Sequence, residues 1–103
     1  DYTVLKKTIE MISSGAFGPL NSKELFATGI SSGGYNTSRL AITFPGVFRA
    51  LVIQSASYAT CLGPACVIPD RLPEDHPPTR FLHGVRDLAV PVATARAYQS
   101  ALE

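Results

Sequence analysis

Two cysteines, two histidines and a 17% share of charged residues are low counts for a chain of 103 residues. Two cysteines with no paired Cys/His cluster make a poor case for a zinc site, which wants four ligands. Nine basic against eight acidic residues leave a net charge of +1. No run of Lys or Arg exceeds the pair Lys6–Lys7, so the electrostatic footprint of a nucleic-acid binder is missing. The longest apolar runs, such as Ala50 to Ile53, fall far short of the roughly 20 residues a membrane span needs. Residues 1 to 15 also lack the basic-then-apolar layout of an export signal. Internal repeats and low-complexity tracts are absent. What is present is 46% hydrophobic residues with eight glycines and eight prolines, the composition of a chain that folds around one modest core.

Val4, Leu5, Ile9 and Ile12 recur at helical spacing and predict an amphipathic helix over 2–13, with Gly15 as its stop. Glu24 to Ile30 is short, apolar and closed by glycine, as a buried strand is. A second helix fits 32–43 and ends at Phe44-Pro45-Gly46, because the residue before proline leaves the helical region. Residues 48–55 read as a strand with an unbroken apolar centre, typical of strands covered on both faces. Residues 57–78 hold both cysteines and many of the prolines with little periodicity, and predict a long irregular excursion. A third strand candidate begins at Thr79 and runs to Gly84, and a third helix follows Pro91 over 92–102. This alternation predicts parallel strands joined by crossovers in an α/β arrangement. Tyr35, Phe44 and Phe48 are assigned to the core.

Thr28-Gly29-Ile30-Ser31-Ser32-Gly33-Gly34 places the pattern Gly-x-Ser-x-Gly at the junction of a predicted strand and a predicted helix, the context in which that pattern presents a nucleophile. The central serine of such a turn sits in a strained conformation, and its neighbours two residues away must be small because the chain doubles back. Gly29 and Gly33 are expected to supply that room, and Gly34 to let the helix approach its strand. Ser31 is then the candidate nucleophile, with the Ser32 N–H at the start of the helix as candidate oxyanion donor. The plainer alternative, a chance meeting of small residues, has a probability of roughly 3% for a chain of this length at average Gly and Ser usage. A phosphate cradle is disfavoured because Gly34 is followed by Tyr35 rather than the Lys-Ser/Thr of a Walker loop.

Functional groups in parallel sheets stand at the carboxyl ends of the strands, and after the third strand the chain reads His83-Gly84-Val85-Arg86-Asp87-Leu88-Ala89-Val90-Pro91. Together, GISSGG and FLHGVRDLAVP resemble the serine hydrolases of the α/β-hydrolase fold, in particular the secreted esterase and polyester (polyhydroxyalkanoate) depolymerase branch. The resemblance implies a three-layer α/β-hydrolase fold, Asp87 as the acid of a Ser-Asp-His triad, and no cofactor and no metal. The plainer reading of Asp87 is a solvated turn residue. In that family the histidine follows the acid, and the only histidines here are His76 and His83. The residue at the place of His83 shapes the pocket floor in the family, so neither is assigned as the base. The resemblance therefore implies that residues 1–103 are a single partial segment of about three strands and three helices. On that reading the segment lacks the family's N-terminal strands and its C-terminal His-bearing portion. One sheet face and both sheet edges are expected to be bare unless another segment or another chain covers them.

Cys61 and Cys66 enclose Leu62-Gly63-Pro64-Ala65, a spacing compatible with a small disulfide loop worth about 2 kcal/mol. Free buried thiols are the alternative, and the family resemblance suggests secretion or a periplasmic location, where disulfides persist. The family often places a lid or substrate-contact segment here, for which Tyr58, Leu62, Val67 and Ile68 are apolar candidates. The reading that results is hydrolysis of a small or polymeric carboxylic ester through a serine-bound acyl intermediate. A peptidase or amidase on the same fold is the alternative in chemistry, and a non-catalytic hydrolase-like scaffold or binding module the alternative in class.

Overall fold

A computed structural model describes residues 2–103. Its elements are α1 (Tyr2–Ser13), β1 (Leu25–Ile30), α2 (Ser32–Thr43), β2 (Phe48–Gln54), β3 (Thr79–Leu82) and α3 (Val92–Leu102). The strands form one parallel sheet in the order β1-β2-β3. Helix ends fall where the sequence predicts them, β1 begins one residue late, and β2 and β3 stop one and two residues short. α1 closes as a glycine-ended helix does, with Gly15 at φ +81° and the Ala16 N–H bonded to the Met11 carbonyl at 3.0 Å.

Registration puts Ala27, Leu51 and Thr79 in one row and Gly29, Ile53 and Phe81 in the next, and successive strand residues point to opposite faces. Under these rows lie two contiguous cores. Ala27, Leu40, Ala41 and Leu51 pack with Tyr2, Leu5, Phe44 and Phe48, and Ile53 with Ala56, Tyr58, Cys61 and Tyr98. Helices and excursion therefore lie on the odd-numbered face. A strand order that advances in one direction explains this, because right-handed crossovers made in the same direction fall on the same side of a sheet. α1 is tied to α2 by the Tyr2 hydroxyl, which donates to Asn36 Oδ1 at 2.8 Å, and by Arg39 over the Tyr2 ring.

The opposite face carries Phe26, Thr28, Ile30, Val52, Arg80 and Leu82, and Phe26 and Ile30 are each 64% exposed. β1, read from the sequence as a buried strand, is covered on one face only, and the exposed side chains lie on the sheet face expected to be bare. α1 departs in part from its expected pattern. Leu5, Ile9 and Ile12 line a cavity of ≈ 350 Å³ with Leu25, Phe26, Leu40 and Phe48, whereas Val4 points to solvent.

Residues 57–78 contain no helix or strand, only an antiparallel bridge between Leu62 and Ala65. They are nevertheless not a surface loop throughout. Tyr58 is buried, and Ile68 and Leu72 pack beside it on Tyr98, so the segment serves as the crossover between β2 and β3. Tyr58 is correspondingly a core residue rather than a free contact for a ligand, and Ile68 is half-buried against the same core. Tyr98 is fully buried, with the rings of Tyr58, His76 and Phe81 set edge-on around it.

Candidate active site

Ser31 occupies the junction of β1 and α2 with φ 53° and ψ −123°, a left-handed conformation costly for a residue with a side chain. Its N–H donates to the Gln54 carbonyl at 2.9 Å, and its own carbonyl accepts from Gly34 and Tyr35. The backbone is thus held on both sides. A serine at a helix N-cap ordinarily spends its hydroxyl on an amide of the first turn. Ser31 makes no such bond and is exposed. Ser32, first residue of α2, is exposed as well, and an amide at that position has no acceptor within the helix.

The glycines divide the labour differently from the sequence expectation. A Cβ on Gly29 would lie 2.1 Å from the Gly33 carbonyl oxygen and 2.7 Å from Thr37 Oγ1. A Cβ on Gly34 would lie 2.5 Å from the Ala56 Cβ and 3.1 Å from the Gly29 carbonyl oxygen. Gly33, by contrast, has open space where a Cβ would stand. Gly33 is the wall that Gly29 must avoid, and Gly34 is the residue that lets α2 lie against β1 and β2.

After β3 the chain turns back through Asp87. Asp87 Oδ1 accepts the Ala89 and Val90 amides, each at 2.9 Å, so the carboxylate is built into a closed turn. Those bonds, the Val90 amide foremost, hold its carboxyl below the usual carboxylate range against partial burial, helped by the Ala89 amide, His83 and the Ser55 hydroxyl. The second oxygen, Oδ2, lies 3.6 Å from His83 Nε2, and the two side chains are 18% and 5% exposed respectively. His83 Nε2 donates to the Val90 carbonyl at 2.8 Å. His83 thereby braces the turn from beneath, while its Nδ1 is buried without a partner.

His76 lies elsewhere. It precedes β3, at the amino end of the strand, with Nδ1 donating to the Pro77 carbonyl at 2.9 Å and Nε2 accepting from the Tyr98 hydroxyl at 2.6 Å. Burial lowers its pKa and raises that of Tyr98 well above the ordinary value. It is a half-buried residue packed on Tyr98 at the end of the sheet remote from Ser31.

Two residues that interact with Asp87 are not singled out by sequence reasoning. Ser55, directly after β2, is the only other described non-glycine residue at positive φ, 45°. Its N–H donates to the Leu82 carbonyl at 2.9 Å, and its hydroxyl draws on Asp87. The Tyr35 hydroxyl is buried without a completed hydrogen bond. Burial pushes its pKa up, the nearby Gly63 amide pulls it partway back, and the Asp87 charge adds to the rise. A hydroxyl-bearing residue at the carboxyl end of the strand next to the serine's is the signal that could have marked Ser55.

Cys61 and Cys66 form a disulfide. Within it Leu62 and Ala65 exchange backbone hydrogen bonds of 2.6 and 3.0 Å, with Gly63 at φ +56° at the tip. A Cβ on Gly63 would stand 3.8 Å from the Ala89 carbonyl oxygen, so this miniature hairpin abuts the turn that holds Asp87. Beneath it, the buried Ser57 hydroxyl donates to the Thr94 carbonyl of α3 at 2.6 Å and contacts both sulfurs.

Among the described residues no group of three or more His, Cys, Asp or Glu could hold a metal, and no helix is long and apolar enough to cross a membrane. No protein-family profile matches the chain, and no solved structure matches it. A curated protein named poly(3-hydroxyoctanoate) depolymerase, from Pseudomonas fluorescens, is 65% identical over 91 residues, which cover 88% of this chain and 33% of the relative. The chain spans about a third of the length of the curated relative it matches.

Proposed function

We propose that this chain is the nucleophile- and acid-bearing part of an α/β-hydrolase-fold serine esterase that acts on a polyester with alkyl side chains. The carrying observation is the Ser31 backbone, bent to φ 53° and ψ −123° with its hydroxyl exposed and excused from capping α2. Strain of that kind costs about 1–3 kcal/mol and persists where the surroundings over-determine it, typically at functional sites. The relative's name supplies the substrate class, and the disulfide fits a chain that matures outside the cytoplasm, in the periplasm or beyond the cell.

In this reading Ser31 Oγ attacks the ester carbonyl carbon as a histidine takes its proton. The Ser32 N–H receives the developing oxyanion, and the alcohol leaves with the proton. Water then repeats the attack and frees the acid, with Asp87 fixing the histidine's tautomer throughout. No cofactor enters. Ser31 follows β1 and the Asp87 turn follows β3, two strands away. Two spacings of about 4.8 Å leave about 10 Å between those strand ends, enough for an imidazole bridged by hydrogen bonds of about 2.8 Å on each side. Neither His76, at the far end of the sheet, nor His83, bonded into the acid turn, occupies that gap. The base is therefore assigned to residues outside these 103.

The test is covalent labelling with a fluorophosphonate on the longest natural form of the chain, with Ser31→Ala as control. Modification confined to Ser31 is expected. A folded protein that stays unlabelled refutes the reading and leaves a hydrolase-like scaffold.

A further inference from the structure

Two residues just past the sheet are held at positive φ although they carry side chains, Ser31 at 53° and Ser55 at 45°. The reading above gives the Ser31 hydroxyl a task and leaves Ser55 without one. Glycine reaches that region of backbone space at no steric cost, whereas a residue with a Cβ is strained there. What serine supplies at position 55, and glycine cannot, is the hydroxyl. The backbone there is anchored to both neighbouring strands, since the Ser55 N–H donates to the Leu82 carbonyl and the preceding Gln54 carbonyl accepts the Ser31 N–H. β2 is the middle strand, so Ser55 stands between the strand end that bears Ser31 and the strand end that leads to Asp87.

Around the Asp87 carboxylate the donors are unevenly placed. Oδ1 takes the Ala89 and Val90 amides of its own turn. Oδ2 lies 3.6 Å from His83 Nε2, whose proton is given to the Val90 carbonyl. The hydroxyl of the half-buried Ser55 is the other side-chain group that reaches the carboxylate. We propose that Ser55 is a positioning residue for the acid, its hydroxyl bracing the Asp87 carboxylate from the β2 side, the side on which Ser31 stands and a triad imidazole enters. The assignment rests on the Ser-Asp-His reading above. The amides grip the carboxylate from within the turn, and Ser55 adds a donor from a different element, so the group is kept from pivoting about its Cβ–Cγ bond. A misplacement of about 1 Å costs about 100-fold in rate, and the loss of one brace among several is expected to cost about tenfold.

The test uses the same natural form and two variants, Ser55→Gly, which removes the hydroxyl and relieves the backbone, and Ser55→Ala, which removes the hydroxyl and keeps the Cβ. Each is made in the parent and in Asp87→Asn, and the rate of fluorophosphonate labelling at Ser31 is measured in all. Both Ser55 variants are expected to slow labelling about tenfold in the parent and less than twofold in Asp87→Asn, because a residue that acts through the carboxylate loses its effect when the carboxylate is gone. Equal slowing in the two backgrounds, or none in the parent, overturns the proposal. Carbon NMR titration of the Asp87 carboxyl is read on the Ser55→Gly variant and the parent, with the midpoint expected to rise when the hydroxyl is removed. A parent that stays unlabelled while the midpoint still rises removes the catalytic reading and keeps the hydroxyl on the carboxylate. Normal labelling with rate and midpoint both unchanged does the reverse.

Discussion

Gly29→Ala probes the tight bend directly. The added methyl would stand 2.1 Å from the Gly33 carbonyl oxygen and 2.3 Å from its carbon, where real contacts are no closer than 3.0 Å. The obstacle is backbone in the first turn of α2, so the helix must move by about 1 Å rather than a side chain swing aside. Overpacking of that kind costs about 1–3 kcal/mol. The bond from Thr37 Oγ1 to the Gly33 carbonyl, 2.9 Å long, is strained by the same movement and is worth about 1 kcal/mol. Reduced freedom of the unfolded chain returns about 0.5 kcal/mol, which leaves a net loss of about 1.5–3.5 kcal/mol. For a domain of this size that lowers Tm by about 6–28 °C. Gly33→Ala is the matched control, since nothing stands within 4 Å of its Cβ position. Alanine in place of a helical glycine is neutral or favourable by up to about 1 kcal/mol. Urea unfolding of the two variants decides the matter. Gly29→Ala within 0.5 kcal/mol of the parent, on the order of measurement error, refutes the reasoning, as does an equally costly Gly33→Ala.

Ser31→Gly should raise stability by about 1 kcal/mol, because glycine reaches the left-handed region without the steric cost a side chain incurs, while abolishing fluorophosphonate labelling; thermal melts and labelling read the two effects separately. His76 has its pKa lowered by burial, so its contribution is complete above the unfolded value of about 6.5 and is lost as pH falls through the folded value. His76→Gln should flatten the stability curve in that window and nowhere else. Asp87, held low chiefly by the Val90 amide, contributes stability that is complete above the unfolded value of about 4 and disappears as pH falls through the lower folded one. Urea midpoints of Asp87→Asn measured from pH 2 to 6 should lack that part of the decline, and a curve parallel to the parent's removes the carboxylate's assigned role in the turn. Tyr98→Phe, which leaves His76 Nε2 without its buried partner, should cost about 1–3 kcal/mol in the same unfolding assay.

Local chemistry made some features readable from sequence and left others hidden. α3 begins after Pro91 and α2 ends before Pro45 because proline restricts its own and its neighbour's backbone wherever it stands. The bend at Ser31 was readable because its sterics involve residues only two to four apart. What depended on distant packing was not readable. The period of α1 includes Val4, yet only Leu5, Ile9 and Ile12 meet the sheet edge. Tyr58, Ile68 and His76 sit in a segment without periodicity and still reach the core, because a crossover that lacks a helix must bury its own side chains against Ile53, Phe81 and Tyr98. Ser55 looks like the end of an apolar strand until the neighbouring turn brings a carboxylate to it.

β2 connects these observations. It donates nothing chemical to the site, yet the Gln54 carbonyl fixes the Ser31 amide and the Ser55 amide fixes the Leu82 carbonyl. Consecutive residues at one strand end therefore set the positions of both flanking loops. Ala56, two residues on, is the atom against which Gly34 must be bare, so the same strand end also fixes how closely α2 approaches. The spacing between Ser31 and the Asp87 turn is thus a property of parallel-strand geometry and not of flexible loops, and it survives whatever lies on the bare face of the sheet. The positive φ at Ser31 and Ser55, on adjacent strands and at the same end, follows from that arrangement. Each is the first residue past a strand, and each must leave the sheet abruptly enough to keep its hydroxyl at the strand ends.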